Sequence, residues 1–160
     1  MNVIVFGQDG PFGEAVFRKH DLGAMGHDPA DNQGKADYTN FPFAEVRRSL
    51  EQFRSIQKYF YGDYYPLTEY TQANDAWMAY QLDLPAEGEG LVVVLKRPES
   101  SFTQATFRLH GLASAGAYVV EDLDRRTAKT IPAARLREAG LEVSLMKSHD
   151  TALIRYQRKS

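Results

Sequence analysis

The sequence contains no cysteine, and this absence removes several kinds of site at once. Disulfide bridges, zinc sites built on thiolates and cysteine nucleophiles are all excluded. A chain without cysteine suits a reducing compartment, so we expect a cytoplasmic protein. No cofactor is expected either, because Gly7-Gln8-Asp9-Gly10 lacks the third glycine and the lysine of phosphate-binding loops.

Long apolar runs and an excess of one charge are also missing. The aliphatic run Leu91–Leu95 is far shorter than the ~20 residues that cross a bilayer. The start of the chain, Met1–Phe6, lacks the basic region and the long apolar core of a signal peptide. The net charge is −2, from 19 basic and 21 acidic residues. We therefore expect neither a membrane nor a nucleic acid as partner.

Tryptophan is scarce, whereas other aromatic residues are common. The chain has 1 tryptophan, 9 tyrosines and 9 phenylalanines, many of them between Phe53 and Tyr80. Exposed aromatic rings can stack on the apolar faces of sugars, and buried ones fill a core. Trp77, Tyr65 and Tyr64 are therefore candidate carbohydrate-binding residues, with carbohydrate as a candidate partner. The alternative, which we favour, is that these rings seal the packing between two layers.

Regular structure is sparse before residue 40. Val3–Phe6 is predicted to be a short buried strand, and Phe12–His20 a short helix. Glycine, proline and asparagine interrupt residues 21–40, which are predicted to form a loop. Residues 1–61 are interpreted as an N-terminal segment that ends in a long helix, and residues 62–160 as a separate β-domain.

The long helix is predicted over residues 43–61. Thr39 or Asn40 offers an N-cap, and Pro42 suits the first turn. Apolar residues then recur at steps of three and four, which places them on one face. The resulting apolar stripe consists of Phe43, Val46, Leu50, Phe53 and Ile56. A stripe of this length predicts a contact surface for the chain's own β-domain, for a second copy of the chain or for a larger partner.

Beyond Gly62 the apolar period changes from helical to two. Gly62 is expected to end the helix in the left-handed conformation. In the next strand, the residues predicted to face the core are Met78, Tyr80, Leu82 and Leu84. The apolar run Leu91–Leu95 predicts a central strand. Further strands are predicted at 106–109, 118–122, 127–130, 141–146 and 152–156, with a helical turn at 131–139. The predicted fold class is mainly β, an antiparallel β-sandwich preceded by one long amphipathic helix and an irregular N-terminal segment.

Candidate chemical groups do not form a recognisable catalytic pattern. The acidic residues near loops and turns are Asp28, Asp31, Asp37, Asp63 and Glu69, and their spacing defines no pair of carboxyls for glycoside hydrolysis. No metal site is predicted, because the stretch from His27 to Asn32 lacks the alternating oxygen ligands of a calcium loop. The four histidines are scattered, so no Ser-His-Asp arrangement is predicted.

Several segments together resemble the C-terminal part of glycoside hydrolase family 36, the α-galactosidases. The matching stretches are 62–68 (GDYYPLT), 77–81 (WMAYQ), 89–94 (EGLVVV), 109–112 (LHGL) and 135–143 (RLREAGLEV). In that family a (β/α)8 barrel is followed by an antiparallel β-sandwich. The resemblance implies that the helix at 43–61 is similar to the last helix of the barrel, and that Gln8 and Asp9 lie at a barrel-strand end.

The same resemblance makes a catalytic role for this chain unexpected. The family places its nucleophilic aspartate after a Lys-Trp pair and its acid/base aspartate on a later barrel strand. Trp77 follows Ala76 here, and neither motif can be placed in the sequence. No catalytic residue is therefore predicted. The resemblance implies a non-catalytic β-sandwich that supports a barrel, with a free-standing carbohydrate-binding module as the alternative.

Overall fold

The computed structural model describes residues 43–159, apart from the side chain of Glu45. The predictions for Val3–Phe6, for Phe12–His20 and for the loop at 21–40 lie outside these residues. The chain divides into two compact units between Ser55 and Ile56. Within residues 43–159, neither α-helix has the length and apolar character needed to cross a bilayer.

The helical segment is confirmed, but it changes geometry before it ends. Helix α1 spans Phe43–Ile56, and a tighter 3-10 helix follows at Gln57–Tyr61. On α1 the fully buried side chains are Ser49 and Ile56, whereas Phe43 and Leu50 are 57% and 47% exposed. The predicted apolar stripe is therefore divided, because Ile56 is buried whereas Phe43 and Leu50 are exposed.

Gly62 ends the 3-10 helix for a different reason from the one predicted. Its backbone is extended, with φ −86° and ψ −178°, so the predicted left-handed conformation is wrong. Its N–H donates to the carbonyl of Tyr59 at 3.0 Å. A Cβ at this position would lie 2.3 Å from the carbonyl oxygen of Asp83. Glycine is needed here because the chain passes against the neighbouring strand.

Eight strands follow Gly62, and every strand pair is antiparallel. Six of them form one sheet, in the order β1-β2-β3-β8-β5-β6. Their bounds are β1 Asp63–Pro66, β2 Trp77–Leu84, β3 Glu89–Lys96, β5 Ala117–Asp122, β6 Thr127–Pro132 and β8 Thr151–Arg158. The predicted central position of the Leu91–Leu95 run is confirmed, since β3 lies between β2 and β8.

A second layer packs on one face of this sheet. It contains β4 (Gln104–Phe107), paired with β7 (Leu141–Ser144), and the short helix α2 (Ala133–Glu138). The shared core includes Trp77, Ala79, Val92, Val94, Phe107, Leu109, Tyr118, Val120, Leu136, Leu141, Val143, Leu145, Ile154 and Tyr156. Because both layers contribute to one core, the predicted antiparallel sandwich is confirmed.

Two features of the first strands differ from the sequence prediction. Strand β1 was not predicted, and it forms one edge of the six-stranded sheet. In β2 the core face carries Trp77 and Ala79, not Met78 and Tyr80. The alternation in β2 was recognised, but Met78 and Tyr80 lie on the face away from the shared core. Leu82 lies on that face too and is nevertheless buried, at 5% exposure. Since side chains alternate along a strand, Gln81 and Asp83 lie on the core face with Trp77 and Ala79.

Candidate functional site

The predicted aromatic residues do not form one platform. Trp77 is 8% exposed, and its Nε1 donates to Ser100 Oγ at 3.0 Å. Its ring centroid is 6.3 Å from that of Phe107, inside the core between the two sheets. A ring in this position presents no open face on which a sugar could stack. The aromatic candidates that remain at the surface are Tyr64 and Tyr65.

Because Trp77 is the only tryptophan, its fluorescence tests this placement directly. We expect emission typical of an apolar environment and little quenching by acrylamide. We also expect no change in emission when galactosides are added. Emission at the wavelength of free tryptophan, with quenching as strong as that of an exposed indole, would contradict burial of Trp77.

Tyr64 and Tyr65 lie on opposite faces of β1. Tyr64 is 61% exposed, and its ring centroid is 5.6 Å from that of Tyr80 on the outer face of the sheet. Tyr65 is half-buried on the core face and stacks on His110 at 5.3 Å. A ligand that contacts one ring therefore does not contact the other. The three aromatic candidates are divided between the core and two faces of an edge strand.

The remaining candidates from the sequence are Gln8, Asp9, Asp63 and Glu69. Gln8 and Asp9 lie outside the described residues, so their predicted position is not examined by the structure. Asp63 and Glu69 are both exposed. The described part of the chain contains no group of three or more histidine or acidic residues arranged to hold a metal ion.

The structure contains a buried polar cluster that the sequence did not reveal. Gln81 Nε2 donates to the carbonyl of His110 at 2.8 Å and to the hydroxyl of Tyr156 at 2.7 Å. Gln81 Oε1 accepts the backbone N–H of His110 at 2.8 Å. The Tyr156 hydroxyl donates to Asp83 Oδ1 at 2.5 Å. The cluster connects β2, β8 and the segment after β4, so it joins the two layers.

The direction of each hydrogen bond in this cluster is determined by one backbone group. The N–H of His110 can only donate, so the group that faces it must be the carbonyl oxygen of Gln81. The amide nitrogen of Gln81 then faces Tyr156, whose oxygen accepts. The hydroxyl hydrogen of Tyr156 is left for Asp83. Asp83 Oδ1 is therefore the final acceptor in this chain of hydrogen bonds.

Two glycines provide the space for this cluster. A Cβ on Gly90 would lie 2.1 Å from the hydroxyl oxygen of Tyr156 and 2.5 Å from the carbonyl oxygen of Leu82. A Cβ on Gly111 would lie 2.3 Å from Asp83 Oδ2, and Gly111 has a positive φ of 68°. Any side chain at either position would push the tyrosine or the carboxyl out of place.

Burial affects the ionisation of both acidic groups in the cluster. Burial raises the pKa of Asp83, the hydrogen bond from Tyr156 lowers it, and the charge of Asp63 raises it further. Burial and the hydrogen bond to Asp83 raise the pKa of Tyr156. Since the pKa of Asp83 is raised on folding, its contribution to stability is largest at acidic pH. That contribution falls as the pH rises through the folded-state value.

Sequence reasoning missed this cluster because Gln81 and Asp83 were placed on the polar face of β2. One signal was available. Trp77 and Ala79 have the same parity as Gln81 and Asp83, and a buried tryptophan is a strong anchor for a core face. The partner Tyr156 lies 75 residues after Gln81, so no local pattern could identify it.

A second cluster attaches the 3-10 helix to the turn between β2 and β3. Glu89 is 7% exposed, pairs with Lys58, and accepts the Tyr59 hydroxyl at 3.2 Å. Burial acts to raise the pKa of Glu89, but the hydrogen bond from Lys58 and other contacts hold it below its usual value. Burial and the charge of Glu89 raise the pKa of Tyr59 to about 12.

The lowered pKa of Glu89 predicts loss of stability in acid. A carboxyl with a depressed pKa stabilises the fold above its unfolded pKa of ~4.3, and this contribution disappears as the pH falls through the folded value. We expect Glu89→Gln to reduce the free energy of unfolding by about 1 kcal/mol at neutral pH, since Lys58 is half-exposed and solvent weakens the pair. The deficit should shrink below pH ~4, in urea unfolding measured across pH.

Glu87 provides the matched control, because it is 56% exposed and lies 3.5 Å from the same lysine. Glu87→Gln should change stability by less than about 0.5 kcal/mol at any pH. A deficit for Glu89→Gln that stays constant from neutral to acidic pH would show that the lost contribution is packing and not charge.

Comparison with known proteins gives a match in structure only. No family model matches the sequence, and no curated protein matches it. The galactosidase domain of the α-galactosidase–sucrose kinase AgaSK matches with a TM-score of 0.57 and 16% identity, over 84% of this chain and 21% of that chain.

Two α-galactosidases of glycoside hydrolase family 36 from Geobacillus stearothermophilus match similarly. AgaB has a TM-score of 0.61 and 16% identity, over 75% of this chain and 16% of that chain. A variant of AgaA in complex with raffinose has a TM-score of 0.61 and 18% identity, over 84% of this chain and 21% of that chain. This chain spans only about a fifth of the length of these galactosidases or less.

These matches establish the fold of the chain. The chain is an antiparallel β-sandwich preceded by a helix, with the fold found in a limited part of much longer proteins. That part belongs to family 36 α-galactosidases, so the predicted resemblance is confirmed at the level of the fold. Because the identities are 16–18%, these matches show a shared fold and not a shared activity.

Proposed function

We propose that this chain is a non-catalytic β-sandwich of glycosidase type, which supports a catalytic barrel. The observation that carries the proposal is the match to family 36 α-galactosidases over 16–21% of their length. In this proposal the sandwich covers one side of the barrel, and α-linked galactosides are substrates of the assembled enzyme. The lack of cysteine supports a cytoplasmic location as part of the same proposal.

The carboxyl groups of the described residues support the non-catalytic role. A retaining glycosidase needs two carboxyls about 5–5.5 Å apart, one on each side of the scissile bond. Asp63 and Asp83 are opposite each other on β1 and β2. However, Asp83 is only 2% exposed and is held by Tyr156, so a sugar ring cannot enter between them. The sequence motifs for the nucleophile and the acid/base are also absent.

The test is hydrolysis of nitrophenyl α-galactoside by the purified, folded chain. We expect no release of nitrophenol above a buffer control. Reading the genomic DNA upstream of the first codon provides the second arm. An open frame that continues into barrel sequence with both catalytic aspartates would support the proposal. Turnover that disappears in Asp63→Asn or Asp9→Asn would overturn it.

The contact surface in this proposal is the predicted stripe on α1. Phe43 and Leu50 support it, since both are large apolar residues that remain about half exposed. We infer that the exposed part of the stripe, Phe43 and Leu50, contacts the barrel, whereas Ile56 is buried within the chain. Light scattering after size-exclusion chromatography separates this from pairing of two chains. A dimer mass that becomes a monomer mass in Leu50→Asp, but not in the exposed control Glu51→Gln, would assign the stripe to self-association instead.

A carbohydrate-binding module is the second candidate, and the exposure of Tyr64 favours it. Its ring lies beside Tyr80 on the outer face of the sheet, where a sugar can stack. Binding of galactosides measured by calorimetry should then be lost in Tyr64→Ala and kept in Tyr70→Ala, which removes another exposed tyrosine. Absence of heat across the common sugars would exclude this candidate.

A further inference from the structure

A buried carboxyl group lies directly beneath an exposed stretch of backbone. Asp83 is 2% exposed, whereas His110 and Gly111, which pass over it, are both exposed. A Cβ on Gly111 would lie 2.3 Å from Asp83 Oδ2, so the backbone of Gly111 packs against this oxygen. On this side, a single stretch of backbone separates Asp83 Oδ2 from solvent. We call this stretch, His110–Gly111, the cover.

The cover is held in place by contacts that can be broken without unfolding the sheet. Gln81 accepts the N–H of His110 and donates to its carbonyl, both at 2.8 Å. The N–H of Leu109, just before the cover, donates to the carbonyl of Leu136 at 3.0 Å. The ring of Tyr65 stacks on that of His110 at 5.3 Å. When the cover opens, the N–H of His110 loses its acceptor and exchanges with solvent, so its exchange rate reports opening.

Ionisation of the carboxyl acts against the closed position of the cover. Asp83 Oδ2 is buried and accepts no hydrogen bond from any described residue. A buried charge without a partner costs far more than a buried neutral group. Asp63 lies opposite Asp83 on the edge strand, and like charges in this arrangement destabilise a sheet. A proton on Oδ2 removes both costs and leaves the bond from Tyr156 to Oδ1 in place.

The other groups that face Asp83 leave this conclusion unchanged. Tyr156 on β8 donates to Oδ1, which lowers the pKa of Asp83, but burial raises that pKa by more, and the charge of Asp63 adds to the rise. On β3 the residue opposite Asp83 is Gly90, which has no titratable side chain. From the cover, the ring of His110 faces Tyr65 on β1. Because burial is the largest influence, the protonated form and the covered form favour each other.

We propose that His110–Gly111 is a pH-sensitive cover, which closes most firmly over protonated Asp83 and opens more often as Asp83 ionises. Opening lets water reach Asp83 Oδ2 while β2 stays paired with β1 and β3. The device therefore controls the access of water to the core beside the edge strand. It is independent of the proposed function, since it concerns two positions of one segment and not catalysis.

The test is hydrogen exchange of the His110 amide, measured by NMR on the full chain from acidic to neutral pH. The protection factor, which is the ratio of intrinsic to observed exchange rate, corrects for the ordinary effect of pH on exchange. We expect the highest protection below the open-state pKa of Asp83, ~3.9. As the pH rises toward the folded-state value, protection should fall by up to about tenfold per pH unit and then become constant. His110 should also be at least about tenfold less protected than the amides between β3 and β8, because local opening costs less than global unfolding.

Two substitutions separate Asp83 from the other groups that titrate. Asp83→Asn keeps an acceptor for Tyr156 and cannot ionise, so protection of His110 should stay high at every pH. Asp63→Asn, at an exposed position, removes a charge that adds to burial in raising the pKa of Asp83, so the fall in protection should move to lower pH. This variant decides the matter if Asp83→Asn does not fold. Asp75→Asn, an exposed carboxyl in the loop before β2, should leave the profile unchanged.

A protection factor of His110 that does not change with pH in the wild-type chain would overturn the proposal. An identical profile in Asp63→Asn and the wild type would overturn it as well, since Asp83 would then not be the titrating group. Protection equal to that of the amides between β3 and β8 would show that the cover opens only when the whole domain unfolds, which also contradicts a separate device. Glu89 titrates alike in all the variants, so its effect in acid does not alter these comparisons.

Discussion

Tyr156→Phe is expected to lower the free energy of unfolding by about 2–3 kcal/mol, although it removes a single oxygen atom. The ring of Tyr156 is fully buried, and its hydroxyl is the donor to the Asp83 carboxylate. Without this hydroxyl both carboxylate oxygens of Asp83 are unpaired inside the protein. The amide of Gln81 keeps its bond to His110 but loses the bond to Tyr156. Urea unfolding monitored by circular dichroism measures the change.

Tyr118→Phe is the matched control for this substitution. Tyr118 is also buried, and its ring packs edge-on against Tyr156 at 5.8 Å. Its hydroxyl, however, accepts a neutral backbone N–H, from Ala113 at 2.9 Å. We expect a loss of about 1 kcal/mol for this variant. Equal losses in the two variants would mean that the buried carboxylate does not depend on Tyr156.

Gly90→Ala is expected to have the largest effect of any single methyl group, a loss of about 3 kcal/mol or more. The new Cβ would lie 2.1 Å from the Tyr156 hydroxyl oxygen and 2.5 Å from the carbonyl oxygen of Leu82. The tyrosine is fully buried, and the carbonyl belongs to the adjacent strand, so neither can move freely. We expect a low yield of folded protein and a lower melting temperature.

Gly88→Ala tests whether the cause is the lack of space at residue 90. Gly88 lies in the turn before β3 and has a positive φ of 65°. A Cβ added to Gly88 would have Arg158 Cβ as its nearest neighbour, at 3.2 Å. Backbone strain at such a position costs about 1 kcal/mol. A melting temperature for Gly90→Ala equal to that of Gly88→Ala would show that the Tyr156 ring accommodates the methyl group.

The fold class followed from the sequence where local patterns carried the information. The run Leu91–Leu95 is apolar on both faces, and a strand of this kind is stable only between two others. It became β3, with both faces buried. The break at Gly62 also divides the helical segment from the strands, although glycine is needed there for close approach to Asp83 and not for a left-handed turn.

The predictions that were wrong or missing concern contacts between parts of the chain that are distant in sequence. Strand β1 has only four residues, ends in Pro66 and is mostly exposed, so its sequence contains little strand signal. Its pairing with β2 is visible only in the structure. In β2 the apolar count favoured the face of Met78 and Tyr80. The core takes the other face because Gln81 and Asp83 find partners that lie far away in the sequence.

The candidate site was predictable to a smaller degree than the fold. Tyr64 and Tyr65 remain candidate sugar-binding residues, and their opposite orientation follows from the strand that was not predicted. The burial of Trp77 follows from the reversed face of β2. To predict the buried cluster, one must know which face of β2 points to the core and where β8 lies in the sheet. The sequence pattern indicated neither.

The proposal that this sandwich is non-catalytic is tested most directly by the rate at which the chain hydrolyses an α-galactoside. The purified chain, shown by a cooperative thermal transition to be folded, is incubated with nitrophenyl α-galactoside, and release of nitrophenol is followed. We predict a rate equal to that of buffer alone. Sustained turnover that co-purifies with the folded chain and is lost in Asp63→Asn would contradict a purely supporting role.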